Sequence, residues 1–145
     1  MWKDLISRLY PWVEFGEPAS DMEIDQIEQQ LGQPVPGELR DLLRQADGVE
    51  TGTGLVWSIQ RIIDRNAVFR NRADFAELFR PFDELMSIGD NGSGDQFGFH
   101  RGSDGWVDGI YVWDHETDER VGISDSLSGY LRWGADFGGD SRYRG

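Results

Sequence analysis

The hydrophobic period of the chain changes once, near Pro81, and that change constrains the fold more than any other feature of the sequence. Before it, apolar residues recur at helical spacing. After it, they gather in short runs of branched and aromatic residues separated by Gly, Asp and Asn. Helices segregated in sequence from a run of strands predict an α+β domain, with N-terminal helices packed on a mainly antiparallel sheet.

The helical half divides at recognisable stops. Trp2, Leu5, Ile6, Leu9 and Tyr10 share one face of a first helix that Pro11 ends. "SDME" at Ser20 to Glu23 has capping-box spacing. Ile24, Ile27 and Leu31 follow on one face, with Gly32 as the left-handed stop. "QPVPGELRDLLRQADG" predicts a third helix whose first position is Pro36 and whose buried stripe is Leu39, Leu42, Leu43 and Ala46. "LVWSI", residues 55 to 59, is a strand candidate. From Ser58 onward Ile59, Ile62, Ile63 and Ala67 predict another helix, with Arg61, Arg65, Arg70 and Arg72 on its solvated side.

In the strand half, "ELMSIG", "DQFGF", "GIYVWD" and "ERVGIS" predict an antiparallel meander. Ser124 is the expected N-cap of a last helix bearing Leu127, Tyr130 and Leu131. The expected organisation is one domain over 1–137 and a mobile tail over 138–145, with no internal repeat. At 145 residues such a domain buries roughly 68% of its unfolded surface, so stability needs neither metal nor disulfide. The chain has no cysteine, "MWKDLISRLY" lacks a signal-peptide core, and no apolar run reaches the ~20 residues of a membrane span. A cytoplasmic location is expected.

Charge limits the partners. The chain carries 27 acidic and 14 basic residues, net −13, and residues 81–125 alone hold 11 acids against 2 bases. Such a surface repels nucleic acid and anionic membranes and attracts basic partners.

Two acidic segments are candidates for chemistry. "GDNGSGDQFGF", residues 89–99, lacks the lysine of a phosphate loop and the third glycine of a dinucleotide fingerprint. As a calcium loop starting at Asp90, it places Gly92 third and Arg101 twelfth, where oxygen ligands are required. Its glycines suit a tight turn between strands, with Asp90 and Asp95 either fixing the loop or facing a partner. "WDHETDER", residues 113–120, has metal-capable side chains, but its flanking strands predict the solvated tip of a hairpin. Trp2, Trp12, Trp57 and Trp133 are expected in the core, whereas Trp106 in "GSDGWVDG" is either a binding anchor or a core plug.

"LGQPVPGELRDLLRQADGVE", "PFDELMSIGDNGSGDQFGF" and "IYVWDHETDER", in that order, resemble the SUKH superfamily and its Smi/Knr-like branch over residues 20–133. The resemblance implies helices packed on a central sheet and a generally non-enzymatic role. Many bacterial members resemble immunity proteins that neutralise polymorphic toxins, often nucleases, while fungal relatives act as regulatory scaffolds. The leading expectation is an immunity protein contacting a basic cognate toxin domain through Asp90, Asp95, Asp104, Trp106, Asp108, Glu116, Asp118 and Glu119, with no catalytic residue, cofactor or metal. The alternatives are a protein- or peptide-binding scaffold and, behind it, a metal-assisted hydrolase using Asp90, Asp95 and the cluster from Asp114 to Glu119.

Overall fold

The computed structural model describes residues 1–137, so the expected tail at 138–145 lies outside the described residues. The α+β prediction holds. The first helix, α1 (Trp2–Leu9), buries Trp2 and Ile6. The second, α2 (Asp21–Leu31), begins on the predicted capping box: Ser20 Oγ accepts from the Glu23 N–H at 3.2 Å, and Glu23 Oε1 accepts from the Ser20 N–H at 3.0 Å. Gly32 ends it in the left-handed region, as expected. The third, α3 (Gly37–Gln45), buries Leu39, Leu42 and Leu43, with Pro36 as its N-cap rather than its first residue.

The next helix, α4 (Ile59–Asn71), starts on Ser58, whose Oγ accepts from the Arg61 N–H. Asp47 reinforces that start by accepting the Ile59 N–H at 2.7 Å, so the "ADG" that ends α3 also caps α4. The arginine face is not simply solvated. Arg70 donates to Leu31 O, Gln33 Oε1 and Leu85 O, tying α2 and the sheet to α4. Arg61 stacks over Trp57 and pairs with Asp90. A short helix, α5 (Ala73–Leu78), follows without any fully buried residue to mark it in the sequence.

The meander forms as predicted. Strands β4 (Leu85–Asp90), β5 (Gln96–Gly102), β7 (Ile110–Trp113) and β8 (Arg120–Ser124) lie in the order β4-β5-β7-β8, every pair antiparallel, and β6 (Gly105–Trp106) folds back on β5. The last helix, α6 (Leu127–Phe137), packs against β8 and α1. Its first turn is held by Ser126, whose Oγ accepts the Gly129 N–H, while Ser124 remains in the strand. The predicted cap is therefore two residues early.

A second sheet was not legible. Strands β1 (Glu14–Phe15), β2 (Val49–Glu50) and β3 (Gly54–Val56) pair antiparallel in that order. "LVWSI" thus splits, with its first two residues in β3 and Ile59 in α4. The small sheet abuts the large one where the Trp57 N–H donates to Ile88 O at 2.6 Å. Glycines permit the approach: a Cβ on Gly89 would lie 2.3 Å from Leu55 O.

One buried amide joins helix to sheet. Asn66 Nδ2 donates to Ile62 O and Ser87 O at 2.7 and 2.8 Å, and its Oδ1 accepts the Ser87 N–H at 2.9 Å. Asn66→Leu keeps comparable bulk but strands both Ser87 backbone groups, each costing about 1–3 kcal/mol. Urea unfolding is expected to show a loss of about 2–6 kcal/mol for this variant, and a change within about 0.5 kcal/mol for the neighbouring exposed Arg65→Ala.

Candidate partner-binding site

Sheet topology sorts the candidate residues into two groups. Asp90 ends β4 and pairs with Gln96 at the start of β5, while Gln96 also pairs with Trp113 at the end of β7. The glycine loop and the 114–119 hairpin tip therefore share one end of the sheet. Asp104, Trp106 and Asp108 lie at the other, beyond a seven-residue β5 that spans about 23 Å at about 3.3 Å per residue.

The glycine loop is built around its own side chains. Asp90 Oδ1 accepts the Gly92 N–H at 2.8 Å and Asn91 Oδ1 accepts the Ser93 N–H at 3.0 Å, two successive Asx turns. Asp90 Oδ2 takes the Trp57 indole N–H at 2.7 Å and Arg61 at 3.3 Å. Gly94 has φ 110°, and a Cβ there would sit 3.0 Å from the His115 ring. Asp95 is completely buried and binds the neighbouring tip, accepting the His115 N–H at 3.0 Å and lying 2.5 Å from His115 Nδ1. Both aspartates thus fix the chain.

The hairpin tip corrects the expectation that residues 114–119 are uniformly solvated. Asp114 is buried and its Oδ1 accepts the Glu116 N–H. Asp118 sits at φ 64°, where an aspartate is better tolerated than most residues. Its carboxylate accepts from the Arg80 N–H and the Trp113 indole, both at 2.8 Å, and from Arg120 at 3.1 Å. Arg120, with a side chain only 3% exposed, also donates to Pro81 O and Arg80 O and stacks over Phe82. Glu116 and Glu119 are exposed.

Asp95, Asp114 and His115 each bring one ligand-capable atom within 4.8 Å of the others. Asp95 and His115 already join the two tips, and Asp114 accepts the Glu116 N–H within its own tip, so the cluster has a structural explanation. At the far end, Asp104 and Asp108 are exposed, while the Trp106 indole donates to Pro34 O at 2.7 Å and packs on Phe99 beneath Arg101. Trp106 behaves as a plug between the meander and the loop joining α2 to α3.

The sequence reading missed a recess of about 230 Å³ lined by Tyr10, Trp12, Leu55, Phe97, Tyr130 and Trp133, with Thr51, Thr53, Asp90, Asn91 and Gly134. Trp12, expected in the core, is 64% exposed. Its ring is nevertheless fixed, by an indole bond to Thr51 O at 2.9 Å and an edge contact to Tyr10 at 5.9 Å. The available signal was position: Trp12 follows the helix-ending Pro11 and belongs to no apolar face.

Burial would raise the Asp118 pKa, but the Arg80 and Trp113 hydrogen bonds and the Arg120 charge outweigh it and hold the carboxyl below its ordinary value. A depressed folded pKa gives stability that is complete above the unfolded value, about 3.9, and disappears as pH falls through the folded one. Asp118→Asn is expected to cost about 1–3 kcal/mol at pH 7. Urea midpoints at pH 7 and pH 3 should show the difference from wild type narrowing at the lower pH.

The family model described as the SMI1 / KNR4 family (SUKH-1) matches residues 18–133, which include the whole four-strand meander and the glycine loop. A Bacillus subtilis (strain 168) protein named "Uncharacterized protein YnaB" is 33% identical over 86 residues, 59% of this chain and 60% of that protein, so the match spans less than two thirds of the relative's length. With the family pattern laid over α2 to α5, the meander and both joined tips, the chain belongs to the SMI1/KNR4 family (SUKH-1).

Proposed function

We propose that the chain is a non-enzymatic immunity protein that binds and neutralises a cognate bacterial polymorphic toxin through an acidic surface, with a nuclease the toxin class that surface suits best. Family membership supports a protein partner. The observation that carries the electrostatic part is the sorting of charge in residues 81–125. Asp83, Glu84, Asp104, Asp108, Glu116, Glu119 and Asp125 are exposed, whereas Arg101 and Arg120 are drawn in against Trp106 and Phe82. The outward charge of the meander is acidic.

A nuclease presents a cationic groove to its substrate, and an acidic protein reaches such a groove quickly and competes with nucleic acid for it. Asp90, Asp95, Asp114 and Asp118 contribute less directly. They accept hydrogen bonds from their own chain, which supports a scaffolding role for them over a catalytic one. The exposed tips beside them are the contact candidates.

Immobilised protein washed at low and then high salt should retain and release a basic toxin domain, whose activity then falls stoichiometrically on adding the protein back. A partner that keeps full activity when bound would favour the regulatory scaffold. Glu119→Lys and Asp104→Lys reverse charge at opposite ends of the sheet. At least one is expected to weaken association by about tenfold and flatten its salt dependence, with unchanged melting temperature. Unaltered binding by both variants would overturn the acidic-surface reading.

A further inference from the structure

The aromatic recess has features of a preformed receptor. Its walls come from the residues just after α1, the β2–β3 turn, β3, the β4–β5 hairpin and α6, so it is built by the tertiary fold. At about 230 Å³ it falls below the roughly 300–1,000 Å³ of sites for drug-sized ligands and suits a single side chain. Trp12 is exposed yet held by its bond to Thr51 O, so little rotamer freedom remains to be lost on binding.

The chemistry of the walls selects a cation. Aromatic faces are negative and attract guanidinium or ammonium groups, and among the described residues no basic side chain lines the recess. Tyr10 and Tyr130 already donate their hydroxyl protons to Leu131 O and Leu55 O, so their remaining hydrogen-bonding capacity is as acceptors. Negative charge reaches these phenols: Tyr10 is pushed up to about 12 by burial and by Asp136, and Tyr130 is raised by burial, by Tyr10 and by Asp90.

We propose that this recess receives one arginine side chain of the basic partner, its guanidinium stacked on Trp12 and its methylene stem against the apolar wall. Arginine suits the site better than lysine because its planar, weakly hydrated head stacks on rings. The inference rests on the reading of the partner as a basic protein and adds the anchor by which that partner docks.

The first arm of the test needs no toxin. N-acetylarginine methylamide titrated into the full chain should shift the Trp12 indole resonance saturably. Trp12→Ala should weaken this binding by about tenfold and Trp12→Phe should restore part of it, while N-acetylnorleucine methylamide should bind distinctly more weakly. Absence of a saturable shift, equal binding of the norleucine compound, or indifference to Trp12→Ala overturns the recess assignment. Because the Trp12 side chain is mostly exposed, its loss should spare the fold; the melting temperature of each variant checks this, and Trp12→Phe decides if the alanine variant unfolds.

The second arm measures toxin affinity. Trp12→Ala should lower it by about tenfold, with the charge-reversal variants acting separately. A toxin neutralised equally well by Trp12→Ala would overturn the anchor and leave the immunity reading standing. A captured partner that keeps its activity would overturn the immunity reading, and the arginine titration would still decide the recess.

Discussion

Backbone-to-backbone contact between the two sheets is the constraint on which the rest of the molecule depends. The Trp57 N–H reaches Ile88 O only because Gly89 offers no side chain to collide with Leu55 O, and a Cβ on Gly54 would crowd both Asp90 and the Trp57 indole. Side-chain packing at an ordinary distance would separate the sheets and leave Trp57 unable to reach Asp90. That bond orients the carboxylate, and the same carboxylate initiates the Asx turn of the glycine loop. The loop then places Asp95 against His115, so one close approach at the centre of the chain is transmitted through hydrogen bonds to both tips at that end of the sheet.

The acidic character of the protein divides into two physical populations. Buried or partly buried carboxylates such as Asp90, Asp95 and Asp118 are matched to N–H donors and arginines, which offsets the cost of holding such groups away from water. Asp118 is the clearest case, joining the hairpin tip to the segment before β4 with Trp113, Arg80 and Arg120 all directed at it. Exposed acids such as Asp104, Asp108 and Asp125 face water and act mainly at longer range, within the Debye length of about 8 Å at physiological ionic strength. Local architecture and surface charge therefore draw on the same residue types for different purposes.

Much of the fold was legible because its signals are local. The Ser20 capping box, the Gly32 stop and the alternation of strand and turn after Pro81 each depend on residues within a few positions of one another. The two-residue strands β1 and β2 carry no alternation long enough to read, and they pair only after residues far apart in the chain come together. Ser124 and Ser126 are equivalent as caps in composition, and the register of β8 decides between them. At the site, the structural role of the glycine loop followed from turn chemistry. The commitment of Asp118 to arginines from two segments did not, nor did the recess, whose aromatic walls lie in three separate stretches of sequence.

That dispersion of the recess walls ties occupancy to folding. Tyr10 and Tyr130 belong to opposite portions of the chain, and the Tyr10 hydroxyl reaches the Leu131 carbonyl across 121 residues. An unfolded chain has no recess, so a molecule seated there binds the native state alone and draws the folding equilibrium toward it. At a free concentration a hundred times its dissociation constant, that linkage amounts to about 2.7 kcal/mol, a substantial fraction of the 5–15 kcal/mol that typically holds a domain folded.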